Sequence, residues 1–217
     1  MAKQVIVMFS GGKDSAVTLD LCSKYFEKVH AAFMYQVEGL SFQEKLLRYY
    51  ESRYGIEILR IPHFEVSHFM KYGSYRVADR TVPIIIPQDI YNYLRDYFKC
   101  RLIASGERIA DSIVRRACVK HSGSIDLERG HIYPVAEWKK QDIKEYIAKH
   151  RLRLGDEYAL MGRSFASIGY DDLAVIREHF PEDFKKIVEW YPFCEAEFSK
   201  HERKQISKIH GTDDKAQ

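Results

Sequence analysis

No apolar run in this 217-residue chain approaches the ~18 residues of a membrane-spanning helix. The first apolar stretch, Val5 to Phe9, leads directly into a glycine pair and not into a cleavage signal, so neither membrane association nor a secretory leader is expected. Cysteine is sparse and scattered: Cys22, Cys100, Cys118 and Cys194 form no C-x-x-C pair. That spacing argues against a zinc ribbon, a disulfide framework and an iron–sulfur cluster, and it suits a reducing, cytoplasmic setting. Excess charge is also small. With 34 Lys and Arg against 31 Asp and Glu, the formal charge of +3 gives no argument for a nucleic-acid partner, although it does not oppose an anionic ligand. Internal repeats and low-complexity segments are absent. What remains is a hydrophobic share of 46% and a charged share of 30%, the composition of a globular chain long enough for one α/β domain with an appendage.

The stretch Phe9-Ser10-Gly11-Gly12-Lys13-Asp14-Ser15 is the most informative in the chain. An apolar run stops there and a helical pattern begins at once. Two adjacent glycines let the backbone turn tightly and approach a ligand, while the following helix opens with N–H groups that favour anions. Lys13 adds a positive charge, and the Ser10 and Ser15 hydroxyls add donors. A glycine pair alone is as often a plain strand-to-helix turn. Here strand, glycine pair, lysine and helix start fall in register, which favours a phosphate cradle. The G-x-x-x-x-G-K-[ST] spacing of a Walker loop is not present.

Elsewhere the periodicity predicts strands over residues 4–9, 29–35, 56–61 and 101–105, and a short one over 131–134. Helices are predicted after the glycine pair and over 41–54, 88–99, 141–150, 171–179 and 184–190, with another unit from Gly106 to about His121. Ser41 is the expected cap of the second helix, with Glu44 at the reciprocal position and Gly55 at its end. Strands alternating with helices predict a doubly wound, mostly parallel sheet with ligands at the carboxyl ends of its strands. Residues 63–86 break the alternation and read as an insertion near the mouth of the site, and beyond Cys194 the chain turns polar and reads as a solvated end. The expected organisation is therefore a nucleotide-binding domain over 1–155, interrupted at about 63–86, and a helical extension over 156–217.

A second stretch, Ser105-Gly106-Glu107-Arg108-Ile109-Ala110-Asp111-Ser112-Ile113-Val114-Arg115, follows a strand and opens a helix. Gly106 supplies backbone freedom, Asp111 or Ser112 can cap, and Arg108 and Arg115 can face phosphate. By itself it reads more readily as a capped surface helix. Two further stretches stand out, Ile132-Tyr133-Pro134-Val135-Ala136-Glu137-Trp138 with Asp142 and Tyr146 behind it, and Arg163-Ser164-Phe165-Ala166-Ser167-Ile168-Gly169. In order, the four stretches resemble S-G-G-K-D-S, G-x-R-x-x-[DE]-S-x-x-R, I-x-P-[IL]-x-x-W-x-x-x-D-[IV]-x-x-Y and a segment ending in R-S-x-G. These are motifs of the PP-loop ATP pyrophosphatase superfamily and, within it, of the phosphoadenylyl-sulfate reductase-like proteins.

The resemblance implies an adenine nucleotide α-hydrolase-like fold with a five-stranded sheet in the order 3-2-1-4-5. It also implies ATP cleaved between its α and β phosphates, with magnesium. Ser10, Gly11, Gly12, Lys13, Asp14 and Ser15 would hold the triphosphate and its metal, with Asp14 as the magnesium ligand. Arg108 and Arg115, with Gly106, would reach the phosphates or a second anion, and Lys13, Asp14 and Arg108 would carry the catalysis. Tyr35, Val37 and Glu38, ending the second strand, sit where related proteins contact adenine and ribose; core packing is an equal reading for Tyr35 and Val37. The implied partners are an adenine nucleotide and an acceptor substrate or sulfur donor, and a homodimer or larger assembly is compatible.

The sequence departs from the reductase pattern in two ways. The redox motif E-C-G-[IL]-H is missing, leaving Cys194 as the tail cysteine, and the loop lysine that sulfonucleotide reductases have usually lost is present. Adenylation of an acceptor for sulfur or nitrogen transfer is therefore the leading expectation. A sulfonucleotide reductase drawing on an external thiol and a non-catalytic nucleotide-binding subunit are the alternatives.

Overall fold

The computed structural model describes residues 3–110, 116–117 and 123–213, with side chains as far as residue 206. The chain forms two compact units, one of Met1–Glu65 with Ile85–Ser164 and one of Val66–Ile84 with Phe165–Gln217.

The first unit is built on β1 (Gln4–Met8), which runs into α1 (Lys13–Tyr25), β2 (Lys28–Tyr35), α2 (Ser41–Tyr54) and β3 (Ile58–Pro62). Then come α3 (Phe64–Tyr72), whose start belongs to this unit, α4 (Pro87–Phe98), β4 (Ile103–Ala104), β5 (Ile125–Asp126), β6 (His131–Ile132), α5 (Lys140–His150) and α6 (Asp156–Met161). The sheet order is β3-β2-β1-β4-β6-β5. All pairings are parallel except that of β5 with β6. The mostly parallel α/β architecture is as expected, but the predicted count of five strands is corrected to six. The fifth parallel strand is β6, and β5 is an added antiparallel edge of two residues held by its pairing with β6.

β1 lies in the middle of the sheet, and Val5, Ile6 and Val7 are wholly buried, as a strand covered on both faces requires. Each such side chain contributes about 1.5–3 kcal/mol by leaving water. Ile6, Ala32, Ile61, Leu94 and Ile103 form a core cluster that Ile90 and Phe98 of α4 cover. Val17 of α1 joins Val135, Ile143 and Leu152 in another. Trp138 and Tyr146 pack against that second cluster, their rings 5.4 Å apart, and the Asp142 carboxylate accepts the Lys139 N–H (2.7 Å) to start α5. The Ile132 to Tyr146 stretch thus packs α5 against α1 and caps it. Asp89 does the same for α4, accepting the Ile86 N–H at 2.9 Å. The residue flanking the start of α2 is Leu40, one position before the expected Ser41, a shift within the ordinary uncertainty of helix ends.

In the second unit, Phe69, Tyr75 and Tyr191 meet edge to face with centroids 5.9–6.4 Å apart, and the Phe193 N–H donates to the Tyr75 carbonyl at 2.7 Å. Its helices are α7 (Tyr170–His179), α8 (Pro181–Trp190) and α9 (Ala196–Asp213). The buried Asp172 carboxylate accepts the N–H groups of Ala166 and Ser167, both at 3.0 Å, and so folds the Phe165 to Gly169 turn back onto the start of α7. One local reading needs correction: residues 64–72 are helical where no period was expected. The polar chain beyond Cys194 is helical as α9, and its described side chains are mostly exposed, with Phe198 buried.

Candidate functional site

The candidate site is assembled at the carboxyl end of β1. Phe9, buried against the Tyr50 ring with centroids 4.9 Å apart, anchors the strand exit, and its N–H donates to the Ala32 carbonyl at 2.8 Å. Gly11 then adopts φ +75°, a left-handed conformation that favours glycine, with the Leu46 side chain 3.4 Å from where a Cβ would stand. Gly12 flanks the start of α1 in an extended conformation, and its carbonyl accepts the Ala16 N–H at 3.0 Å.

The two serines shape this loop from within. The Ser15 hydroxyl donates to the Gly12 carbonyl (2.9 Å) and accepts from the Ser10 N–H (3.2 Å) and the Ser10 hydroxyl (3.1 Å). Its proton is thereby committed to the loop and not offered as a nucleophile. Thr18, also buried, donates to the Asp14 carbonyl at 2.9 Å and fixes the first turn. The result is a rigid crook of backbone whose N–H groups gather at the positive end of a 13-residue helix.

Among the described residues, three charged side chains meet on this crook. Lys13 and Asp14 form an ion pair, and Arg108 Nε lies 3.0 Å from Asp14 Oδ1. Arg108 arrives from the segment after β4, which is pinned on both sides: the Ser105 N–H donates to the Ile132 carbonyl (3.0 Å) and the Ile109 N–H to the Ala136 carbonyl (2.8 Å). With 7% of its side chain exposed, Arg108 is a buried cation whose charge must be balanced nearby. Its contact with Asp14 is one of charge, because Asp14 Oδ1 is buried without a donor in hydrogen-bond geometry.

Gly106 has a structural reason to be glycine. A Cβ there would stand 2.8 Å from both the Asp14 carbonyl carbon and the Ser15 nitrogen, so the two loops touch backbone to backbone. The expected members Ser10, Gly11, Gly12, Lys13, Asp14, Ser15, Gly106 and Arg108 therefore form one cluster. Tyr35 ends β2, the strand paired with β1, and Val37 and Glu38 follow it. Val37 is wholly buried and Tyr35 nearly so, with burial and Glu38 raising the Tyr35 phenol pKa, while Glu38 is exposed. Arg115, with Asp111 and Ser112, lies outside the described residues.

Ser164 was not assigned a role by sequence reasoning. Its Oγ stands 3.4 Å from the Cβ position of Gly12, which brings the serine of the Arg163-Ser164 pair onto the loop. The resemblance marked that segment, but only the fold places it beside residue 12. His63, at the carboxyl end of β3, accepts the Glu65 N–H through Nδ1 at 3.3 Å, and burial lowers its pKa against the pull of Glu65. An open hollow of about 640 Å³ borders the other end of α1, walled by Leu21, Tyr25, Ile132 and Trp138; among the described residues its walls carry no cation to bind phosphate.

Comparison with known proteins agrees with this geometry. The profile of the phosphoadenosine phosphosulfate reductase domain matches residues 4–173. The chain belongs to that family. Among solved structures, the fold of this chain resembles the U34-tRNA thiolase NcsA from Methanococcus maripaludis, solved with its [4Fe-4S] cluster. The TM-score is 0.51 at 15% identity over 89% of this chain and 73% of that one. It also resembles the NH3-dependent NAD synthetase from Campylobacter jejuni in complex with nitrate, with a TM-score of 0.50 at 16% identity over 93% and 88% of the two chains. At such identities the likeness is one of fold. No curated protein sequence matches the chain significantly. Among the described residues, no group of three or more His, Cys, Asp and Glu side chains is gathered as a metal-binding set, and no helix is long and apolar enough to cross a membrane.

Proposed function

We propose that this domain binds Mg-ATP on residues 10–15 and cleaves it between the α and β phosphates, adenylating an acceptor that is then attacked by sulfur or nitrogen. The observation that carries this reading is the meeting of Lys13, Asp14 and Arg108 on a helix start with shaped backbone N–H groups. Two cations and a carboxylate suit a metal-complexed polyphosphate better than a lone anion, which needs no carboxylate beside it.

The residues fit magnesium. Asp14 Oδ1 is a buried hard oxygen without a hydrogen-bond donor, and a single carboxylate beside substrate phosphates is a common protein contribution to that ion. When bound, the metal supplies charge neutralisation on the phosphate oxygens. The chain's own residues do the rest. The crook from Ser10 to Ser15 orients the triphosphate, and Lys13 and Arg108 stabilise the charge that gathers on the departing pyrophosphate. An acceptor oxygen attacks the α phosphorus, the bond from that phosphorus to the α–β bridging oxygen breaks, and pyrophosphate leaves with the electron pair.

The family match also motivates a sulfonucleotide-reductase reading, which needs a thiolate. Cys194 is fully buried and its pKa is pushed up to about 11 by burial and by Glu195, while burial drives Cys22 up to about 12 and also raises Cys100. Among the described residues these cysteines are poor nucleophiles, and Cys118 lies outside the described residues; the reductase reading therefore invokes an external thiol. The separating experiment is product analysis with labelled ATP and a panel of acceptors. AMP and pyrophosphate are expected; ADP and phosphate, or sulfite release from a sulfonucleotide without ATP consumption, would refute the proposal.

A further inference from the structure

We infer that Asp14 is a specificity-determining residue that acts as a built-in anion. It holds Lys13 and Arg108 until a metal takes its carboxylate, and so selects metal-complexed polyphosphates against metal-free anions. This inference rests on the placement of phosphate at residues 10–15 proposed above.

The geometry points to an exchange of partners. Among the described residues, two side-chain cations at the crook are engaged by the same carboxylate, Lys13 at one oxygen and Arg108 at the other. All three side chains are largely withdrawn from water, with 17%, 21% and 7% exposure for Lys13, Asp14 and Arg108, so their pairing is only weakly screened. Arg108 is fixed by a segment bonded on both sides, and Asp14 is fixed by the backbone contact with Gly106. Neither end of the Arg108–Asp14 pair can swing away cheaply. A metal-free anion entering the crook must therefore compete with Asp14 for both cations and sit beside its negative charge.

A metal-complexed polyphosphate meets no such penalty. The ion occupies Asp14, the phosphates occupy Lys13 and Arg108, and every charge keeps a partner through the exchange. Asp14 thus makes metal and polyphosphate binding cooperative, each tightening the other by the same factor. A monoanionic or dianionic ligand that brings no metal is excluded by the same device.

The contrast with Asp20, farther along α1, supports the assignment. Asp20 is saturated by the Tyr54 and Tyr146 hydroxyls at 2.6 and 2.7 Å as well as by Lys24, which is how a permanent buried carboxylate is satisfied. Asp14 Oδ1 has the charge of Arg108 but no donor in hydrogen-bond geometry, an arrangement suited to giving up its partner.

The test is calorimetric titration with inorganic tripolyphosphate, which carries neither adenosine nor an adenylyl group. It is run in chelator and in excess magnesium, on wild type, Asp14→Asn, Lys13→Ala and the double variant. In chelator, Asp14→Asn is expected to bind at least tenfold more tightly than wild type, and this gain should shrink to less than threefold when Lys13 is already alanine. Magnesium should tighten wild type at least tenfold and Asp14→Asn less than threefold. No gain in Asp14→Asn, or an undiminished gain in the Lys13→Ala background, would overturn the inference, the latter because simple repulsion would then explain it. Circular dichroism confirms folding, and Asp14→Ser replaces Asp14→Asn if the latter does not fold. Because the probe is inorganic, the result stands apart from the ATP proposal: the gain can appear even if ATP is never cleaved, and ATP cleavage can be found with the gain missing.

Discussion

The helix α1 carries two aspartates withdrawn from water, the half-buried Asp14 at its start and the buried Asp20 six residues on, and they are provided for differently. Asp20 is 3% exposed and ringed by Lys24, Tyr54 and Tyr146, which reach it from α1, α2 and α5. Burial alone would raise its pKa, yet the three bonds outweigh burial and leave it below the usual aspartate value. Asp14 has cations on either side and an oxygen without a hydrogen-bond donor. One charge joins three helices permanently, whereas the other is held in a form that a ligand can exchange. A carboxylate with both oxygens answered by donors belongs to the scaffold, and one that keeps a buried oxygen without a donor is a candidate for chemistry.

The comparison breaks first at Gly106. Gly106→Ala forces a Cβ into the backbone of Asp14 and Ser15, and the phosphate crook must shift. We expect loss of detectable nucleotide binding together with about 1–3 kcal/mol of stability, read by calorimetry and by denaturant melts. Unchanged binding would mean that the contact between the two loops is not needed for the site.

Asp20→Asn sharpens the other side. At neutral pH it should cost about 1–3 kcal/mol of stability, through loss of the charge-assisted bonds, and leave nucleotide affinity within twofold of wild type. The sign with pH follows from the lowered folded pKa. The contribution is fully present above the unfolded aspartate value of about 3.9 and is lost as pH falls through the folded pKa. The stability gap between wild type and Asp20→Asn should therefore be flat near neutrality and close below about pH 4. A gap that widens on acidification would contradict the role given to the three bonds.

Much of the site was legible because its signals are local. The strand, glycine pair, lysine and helix start lie within a dozen residues, and the strand-to-helix alternation gives the parallel sheet, while the neighbours of β1 were legible only through the family resemblance. What escaped depends on distant partners. Ser164 reaches Gly12 and Tyr146 reaches Asp20 only through the tertiary fold, and no spacing announces either contact. β5 is a two-residue strand created by its pairing with β6, too short to show alternation. In α3, Val66 and Ser67 are the buried residues of a nine-residue helix, so its apolar period is weak. α9 opens with charged residues, among them Glu197 and Lys200 in an i,i+3 pair at 2.6 Å, which read as a solvated tail when taken without their helix.

The central claim is that the Lys13, Asp14 and Arg108 cluster is where a metal-bound nucleotide sits. The most direct measurement is isothermal titration of ATP into wild type and Lys13→Ala, each in excess magnesium. Removal of one charge-assisted phosphate contact, about 1.5–3 kcal/mol, corresponds to roughly a tenfold to hundredfold loss of affinity. Wild type should bind one ATP per chain and Lys13→Ala should fall within that range of weakening. Equal affinity in the two proteins would contradict the account and move the nucleotide away from the glycine pair.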